Sequence, residues 1–290
     1  VTKEVIEAAT NLKVIGRAGV GVDNIDIEAA TAKGIIVLNA PEGNTIAATE
    51  HTVAMMLSMA RNIPQAHSSV QNGEWKRNQF VGVEMRGKTL GVIGLGRIGS
   101  GVAKRAIAFD MKVIGYDPYV NEERAKTMGI EVVSLEEIYA NADFISVHMP
   151  LTAQTKDLIN SETISKMKDG VYLVNCARGG IINEADLAEA VKAGKVAGAA
   201  IDVFPKEPIE PNSPLLGVDK IVLTPHLGAS TVEAQIGVSV DVAYGIVAAL
   251  KGEPVTTAVN MAPVAPHVLK FIKPYFGLAD RMGKTAVSLA

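Results

Sequence analysis

Three ionisable residues of different kinds hold most of the chemistry available to this sequence. Arg178 follows the apolar run "GVYLVNCA", Glu207 lies three residues past "AIDVF", and His226 follows "KIVLTP" in the stretch "IVLTPHLGAST". A histidine can exchange a proton near neutral pH. A carboxylate paired with the imidazole favours its protonated form, raises its pKa and fixes the ring. Arginine offers a planar fork to a carboxylate and can polarise a neighbouring carbonyl. As a set they suit proton removal from a secondary alcohol, or its return to a ketone. Singly, each has a plainer explanation: Arg178 as a phosphate or helix-end contact, Glu207 between Lys206 and Pro208 as a solvated loop acid, His226 between a proline and a leucine-glycine pair as a turn residue. The choice depends on the elements that place them.

The segment "KTLGVIGLGRIGSGVAKRAIAFDMKVIGYD" (Lys88 to Asp117) holds Gly94, Gly96 and Gly99 in a G-x-G-x-x-G arrangement. An apolar strand precedes the glycines, a helical pattern follows, and a second strand ends in an acid, as a dinucleotide-binding βαβ unit requires. Gly94 permits the tight turn, Gly96 lets a pyrophosphate approach the backbone, and Gly99 lets the helix pack close to the sheet. Asp117 stands where a carboxylate would accept hydrogen bonds from the adenosine ribose and repel a 2′-phosphate, so NAD is expected rather than NADP.

Short β-branched runs alternate with helical stretches, and several runs are apolar throughout, as strands buried on both faces should be. One helical pattern is "EADLAEAVKAGK", with Asn183 ahead of it as an N-cap. The alternation predicts an α/β fold, a doubly wound parallel sheet with helices on both faces. Two longer helical patterns, Asn44 to Gln65 and Ser230 to Gly252, break the rhythm and bracket the doubly wound unit, where hinges between domains would fall. In an open parallel sheet ligands sit beyond the carboxyl ends of the strands. Arg178, Glu207 and His226 all follow strands, so they are expected on the same edge as the glycine loop.

Composition narrows the classes. With 290 residues, 48% hydrophobic and 20% charged, the chain reads as a folded protein of two domains. A net charge of −3 spread along the chain gives no footprint for nucleic acid and no basic anchor for a membrane, so neither is an expected partner. Cys176 is the only cysteine, which points to a reducing, cytoplasmic setting. The five histidines show no H-E-x-x-H spacing, and no metal is expected. No signal peptide opens the chain, and no uninterrupted apolar run reaches the roughly 18 residues of a membrane span. Both ends fall inside amphipathic patterns, so the sequence reads as a fragment cut at each end.

The ordered motifs "GRAGVGVDNID", "GEWKR", "GKTLGVIGLGRIG", "NCARGGIINE", "AAIDVFPKEP", "PHLGAST" and "KPYFGLADRMGK" resemble the D-isomer-specific 2-hydroxyacid dehydrogenases, and most of all their phosphoglycerate-oxidising branch. The resemblance covers nearly the whole chain and assigns the catalytic roles to Arg178, Glu207 and His226. It implies NAD as cofactor, with contacts from Gly94, Gly96, Arg97, Ile98, Gly99, Asp117, Cys176 and Ala177, from Asp202 near the nicotinamide amide, and from Gly228. It also implies a small anionic hydroxyacid substrate, met by backbone N–H groups around Gly19 and Gly21 and by Arg17 and Arg77 at its charged ends. The implied reaction is oxidation of 3-phospho-D-glycerate to 3-phosphohydroxypyruvate, the opening step of L-serine biosynthesis, by a homodimer or higher homo-oligomer.

The implied organisation is a substrate domain of smaller, flavodoxin-like type (1–39 and 230–260) interrupted by a Rossmann NAD-binding domain (40–229), with 261–290 beginning an incomplete regulatory domain. The resemblance also implies a further βαβ segment ahead of Val1. Val20 and Met149 stand where relatives often carry Thr, so hydroxyl contacts to the cofactor would be lost at those positions. Two other readings stay open. One is a sister activity of the family, glyoxylate or hydroxypyruvate reduction; the other is an NAD-sensing corepressor-like binding protein of the same fold.

Overall fold

The computed structural model describes residues 1–261, 268 and 271–289. It divides into two compact units, one formed by Val1–Asn44 with Gln235–Ala290 and the other by Thr45–Ala234, against the 40–229 expected for the nucleotide domain. The first division falls at the start of the first long helical pattern, and the second falls within the first turn of the helix Val232–Leu250. The expected regulatory start at 261–290 lies partly outside the described residues, and what is described there groups with the first unit.

The first unit pairs β1 (Val14–Arg17) with β2 (Ile36–Asn39) in parallel. Helices α1 (Lys3–Ala8) and α2 (Ile27–Ala32) supply Ile6 and Ala30 to a small core with Ile15, Ile25, Ile35 and Val37. Asp26 caps α2 by accepting from the Ala29 N–H at 2.8 Å. Residues 257–259 run antiparallel along the outer side of β2, with the Asn39 N–H on the Thr257 carbonyl and the Val259 N–H on the Val37 carbonyl.

Helix α10 (Val232–Leu250) buries Val238 and Val242 with Ala40, and a methyl group at Gly16 would lie 2.5 Å from Val242, so strand β1 and helix run in close contact. Among the described helices α10 alone has the length and apolar composition to cross a bilayer, although it carries Glu233 and Asp241. Past it lies α11 (Phe276–Leu289).

The second unit is a seven-stranded, all-parallel sheet. Its strands are β3 (Thr89–Ile93), β4 (Lys112–Tyr116), β5 (Glu131–Val132), β6 (Phe144–Val147), β7 (Val171–Asn175), β8 (Val196–Ile201) and β9 (Ile221–Leu223), in the order β5-β4-β3-β6-β7-β8-β9. The order reverses at β3, which makes its carboxyl end the switch point where such sheets bind ligands.

Successive strand residues enter opposite cores. Leu90, Val92, Phe144 and Val174 face one layer, covered by α3 (Thr45–Ala60) and α5 (Arg97–Ala108). Ile93, Ile145, Val147 and Leu173 face the other, covered by α7 (Leu135–Asn141) and α9 (Glu184–Lys192). Burial on both faces explains the runs without polar alternation. Asn183 caps α9, accepting from the Asp186 N–H at 3.1 Å, as its place ahead of "EADLAEAVKAGK" suggests.

One expectation needs correction. The pattern from Asn44 to Gln65 is not one helix: α3 stops at Ala60, and α4 (Ile63–Gln71) starts afresh. Asn62 adopts φ +53° between them and Pro64 sits in the first turn of α4. A proline has no N–H for the preceding turn and crowds its carbonyl, so it opens a helix rather than continuing one.

Candidate active site

The glycine loop leaves β3 and enters α5. Gly94 has φ +100°, and a methyl group there would meet the His148 carbonyl oxygen at 2.6 Å. At Gly99 a methyl group would lie 1.9 Å from the Gly94 carbonyl oxygen. Neither position accepts a side chain. Gly96 differs: it is exposed, its φ of −66° suits any residue, and nothing lies within 4 Å of where a methyl group would go. It is also the N-cap of α5 with no side chain capping the helix. Open space before uncapped helix N–H groups fits a pyrophosphate. Arg97 is exposed and Ile98 half-buried on the first turn.

Asp117 follows β4 and accepts from the Leu95 N–H through Oδ2 and from the Tyr119 N–H through Oδ1, each at 2.8 Å. Each oxygen keeps a further lone pair for a ribose hydroxyl. The carboxylate thus also braces the loop it is expected to serve.

Strands β7, β8 and β9 are neighbours, and the three expected catalytic residues leave their carboxyl ends. After β7, Asn175 accepts from the Ala177 N–H at 3.0 Å and donates to the Arg178 carbonyl at 2.8 Å, closing a tight turn. Arg178 is half-buried and donates from Nη1 to the Ala177 carbonyl at 2.7 Å. A methyl group at Gly179 would lie 1.9 Å from the Phe204 carbonyl carbon, so the arginine turn packs directly on the segment that carries Glu207. Glu207 accepts from the Phe204 N–H through Oε1 at 3.1 Å and contacts His226 Nδ1 through Oε2 at 2.7 Å. Both carboxylate oxygens are therefore fixed, and so is the ring. His226 Nε2 faces away from that bond, on a residue that remains exposed.

The His226 backbone is held with equal care. Its φ of +56° is uncommon for a non-glycine residue. Its N–H donates to the Asp202 carbonyl at 2.8 Å, while the Leu227 and Gly228 N–H groups donate to the Asp202 carboxylate at 2.8 and 3.0 Å. Asp202 is completely buried. Burial alone would raise its pKa, but donors from His51, Thr224 and Leu227 outweigh it and hold the carboxyl below its ordinary range. The Gly228 N–H is thus engaged inside the protein, and Asp202 Oδ2, with this one donor, retains a lone pair toward a carboxamide.

Two residues that sequence reasoning did not single out lie in this region. His51, on α3, is 3.1 Å through Nε2 from Asp202 Oδ1. His148, after β6, is 2.8 Å through Nε2 from the Ser146 hydroxyl, and burial pushes its pKa down to about 4, so it stays neutral and is no second acid. His51 Nε2, Cys176 Sγ and an Asp202 oxygen lie within 4.8 Å of one another, close enough to hold a metal. Burial and the Asp202 charge push the thiol up to about 12, and both Asp202 oxygens already accept hydrogen bonds. That donor set describes a hydrogen-bonded imidazole–carboxylate pair beside a neutral thiol.

The expected substrate contacts are distributed over both units. In the first, Arg17 ends β1 and donates to the Ala18 carbonyl at 2.7 Å. Asn39 donates to the Val20 carbonyl at 2.8 Å and the Ala40 N–H to the Gly19 carbonyl at 2.9 Å, so the end of β2 shapes the Gly19–Gly21 turn. In the second, Arg77 opens an exposed 3-10 turn, Arg77–Phe80, beside the exposed Trp75.

Comparison with known proteins identifies the family. Residues 53–228 match the family model described as D-isomer specific 2-hydroxyacid dehydrogenase, NAD binding domain. D-3-phosphoglycerate dehydrogenase of Archaeoglobus fulgidus is 55% identical over 286 residues, 99% of this chain and 54% of that protein. The Bacillus subtilis protein of the same name is 52% identical over 283 residues, 98% of this chain and 54% of its own length. The chain thus spans about half the length of these relatives. Among solved structures, D-lactate dehydrogenase from Aquifex aeolicus, complexed with NAD and lactic acid, superposes with a TM-score of 0.80 at 34% identity, covering 87% of this chain and 80% of that one. With a glycine loop shaped for a dinucleotide and a family match over most of its length, the chain belongs to the D-isomer-specific 2-hydroxyacid dehydrogenases, and its second unit is their NAD-binding domain.

Proposed function

We propose that the protein oxidises 3-phospho-D-glycerate to 3-phosphohydroxypyruvate with NAD, the opening step of the phosphorylated route to L-serine. The observation that carries this reading is the relay from the Phe204 N–H through Glu207 to His226, in a chain whose relatives named for this reaction match it almost end to end. Bound NAD supplies the hydride acceptor.

The rest falls to residues of this chain. Glu207 Oε2 accepts from Nδ1–H of His226, which leaves Nε2 with its lone pair. That atom takes the C2 hydroxyl proton. The ring becomes positive as it does so, and the carboxylate 2.7 Å away stabilises the charge as it forms. Arg178 grips the substrate carboxylate and polarises the adjoining carbonyl in reverse. We assign the remaining anionic contacts to Arg17, Gly19, Gly21 and Arg77. Asp117, at the end of β4, favours NAD by repelling a 2′-phosphate. Oxidation releases the hydroxyl proton and reduction takes it up, so oxidation gains as pH rises.

The test is NADH formation at alkaline pH by the full-length protein carrying this chain. Substrates are 3-phospho-D-glycerate, D-glycerate and D-lactate, with His226→Ala as control. Turnover with the phosphorylated acid alone, abolished by the substitution, supports the reading. Turnover confined to unphosphorylated acids would transfer the protein to a sister activity, and none at all would favour an NAD-sensing binding protein.

A further inference from the structure

We infer that His51 is a positioning residue for His226, acting through the buried carboxylate of Asp202. Asp202 gathers three consecutive backbone amides: the His226 N–H ends on its carbonyl at 2.8 Å, the Leu227 N–H on Oδ1 at 2.8 Å and the Gly228 N–H on Oδ2 at 3.0 Å. The Thr224 hydroxyl adds a fourth bond, to Oδ1 at 2.6 Å. All four donors belong to one strand end and its loop, 224–228. His51 Nε2, 3.1 Å from the same Oδ1 and 3.3 Å from the Thr224 hydroxyl, is the group that comes from another element, helix α3.

The physical need for this outside contact is clear. His226 holds φ +56°, a conformation that a non-glycine residue keeps only when its surroundings impose it. The imposing group is a carboxylate with no exposure to water, which must be oriented from within the protein. The loop alone cannot do so, because carboxylate and loop could shift together. His51 references the carboxylate to α3, whose Met55, Met56 and Met59 are packed in the sheet core. The Nε2–H tautomer of His51 therefore sets where His226 stands, and Glu207 sets only which way its ring turns.

The inference rests on His226 being the base, and the experiment separates the two. In the full-length protein, His51→Ala, His51→Gln and Thr224→Val are compared with the parent by steady-state kinetics and, without cofactor, by amide hydrogen exchange at 226–228. Expected for His51→Ala is faster exchange at Leu227 and Gly228 and a kcat about tenfold lower, with hydroxyacid KM changed by less than about twofold. His51→Gln, which can present an N–H at similar reach, should recover most of both. Thr224→Val removes a donor from the same oxygen together with the hydroxyl that His51 Nε2 meets at 3.3 Å, and should raise exchange at the same amides.

Unchanged exchange in His51→Ala would overturn the proposal, as would His51→Gln behaving like His51→Ala. If His51→Ala does not fold, the glutamine and valine variants decide alone: near-normal exchange in the first with raised exchange in the second supports the proposal, and any other pair overturns it. An inactive parent would refute the dehydrogenase reading and leave the exchange result standing.

Discussion

Glu207 stands between a backbone amide and an imidazole: its Oε1 accepts from the Phe204 N–H at 3.1 Å and its Oε2 meets His226 Nδ1 at 2.7 Å. The first contact fixes the carboxylate so that the second can fix the ring. Glu207→Gln should keep the protein folded, because the amide oxygen can still accept one of the two bonds. It should lower kcat by about 100-fold or more, since the positive ring formed on proton transfer loses its partner charge. Steady-state rates in both directions check this, and a loss under threefold would remove Glu207 from the mechanism.

The glycine loop makes a sharper prediction, because its glycines are needed for different reasons. Gly99→Ala puts a methyl group 1.9 Å from the Gly94 carbonyl oxygen and should destabilise the protein by about 1–3 kcal/mol. Gly96→Ala meets nothing within 4 Å and has an ordinary φ, so stability should change by less than about 0.5 kcal/mol. The open space it fills is the space assigned to the pyrophosphate, so NAD affinity should fall at least about tenfold. Denaturation and NADH fluorescence titration measure the two effects separately. Loss of stability without loss of affinity in Gly96→Ala would contradict the assignment.

Asp202 ties stability to pH. Its folded pKa is depressed, so its contribution is complete above the ordinary carboxylate value of about 3.9 and is lost as pH falls through the folded value. Asp202→Asn turns an amide toward four N–H and O–H donors and should cost about 3 kcal/mol at pH 7. The cost should shrink toward pH 3, because the parent loses there what the variant never had. Urea midpoints at about pH 7, 5 and 2.5 give the comparison, and a penalty that stays the same at the lowest pH would show that the carboxylate charge is not what matters.

These residues were unequally legible in the sequence. Gly94, Gly96 and Gly99 could be read because each answers a local need set by a strand, a turn and a helix adjacent in the chain. Glu207 and His226 could be read because both follow apolar strands, and a parallel sheet places all its strand ends on one edge. Asp202 could be named only by resemblance, and its grip on the amides of 226–228 depends on how β8 and β9 lie together. His51 carried no local signal, since a histidine within "NTIAATEHTVAMMLSMARNIPQ" is one polar residue on a mostly apolar helix; its partner is 151 positions away. The break at Asn62 was also hidden, because hydrophobic spacing continues across a proline that starts a new helix.

Arg178 offers the last prediction, because its charge and its shape can be separated. The guanidinium already donates one N–H of Nη1 to the Ala177 carbonyl at 2.7 Å, a bond that sets the plane of its fork. A lysine here would keep the positive charge but lose both the plane and the paired donors that match a carboxylate. Arg178→Lys should therefore raise the hydroxyacid KM by about tenfold or more and lower kcat as well, because the polarised carbonyl is held less exactly in line. NAD affinity should fall less than hydroxyacid affinity, since the glycine loop and Asp117 lie beyond β3 and β4, on the far side of β6, and only Cys176 and Ala177 among the expected cofactor contacts share this turn. Equal losses in NAD and hydroxyacid binding would instead mean that Arg178 serves the cofactor, the plainer role its place after β7 also allows.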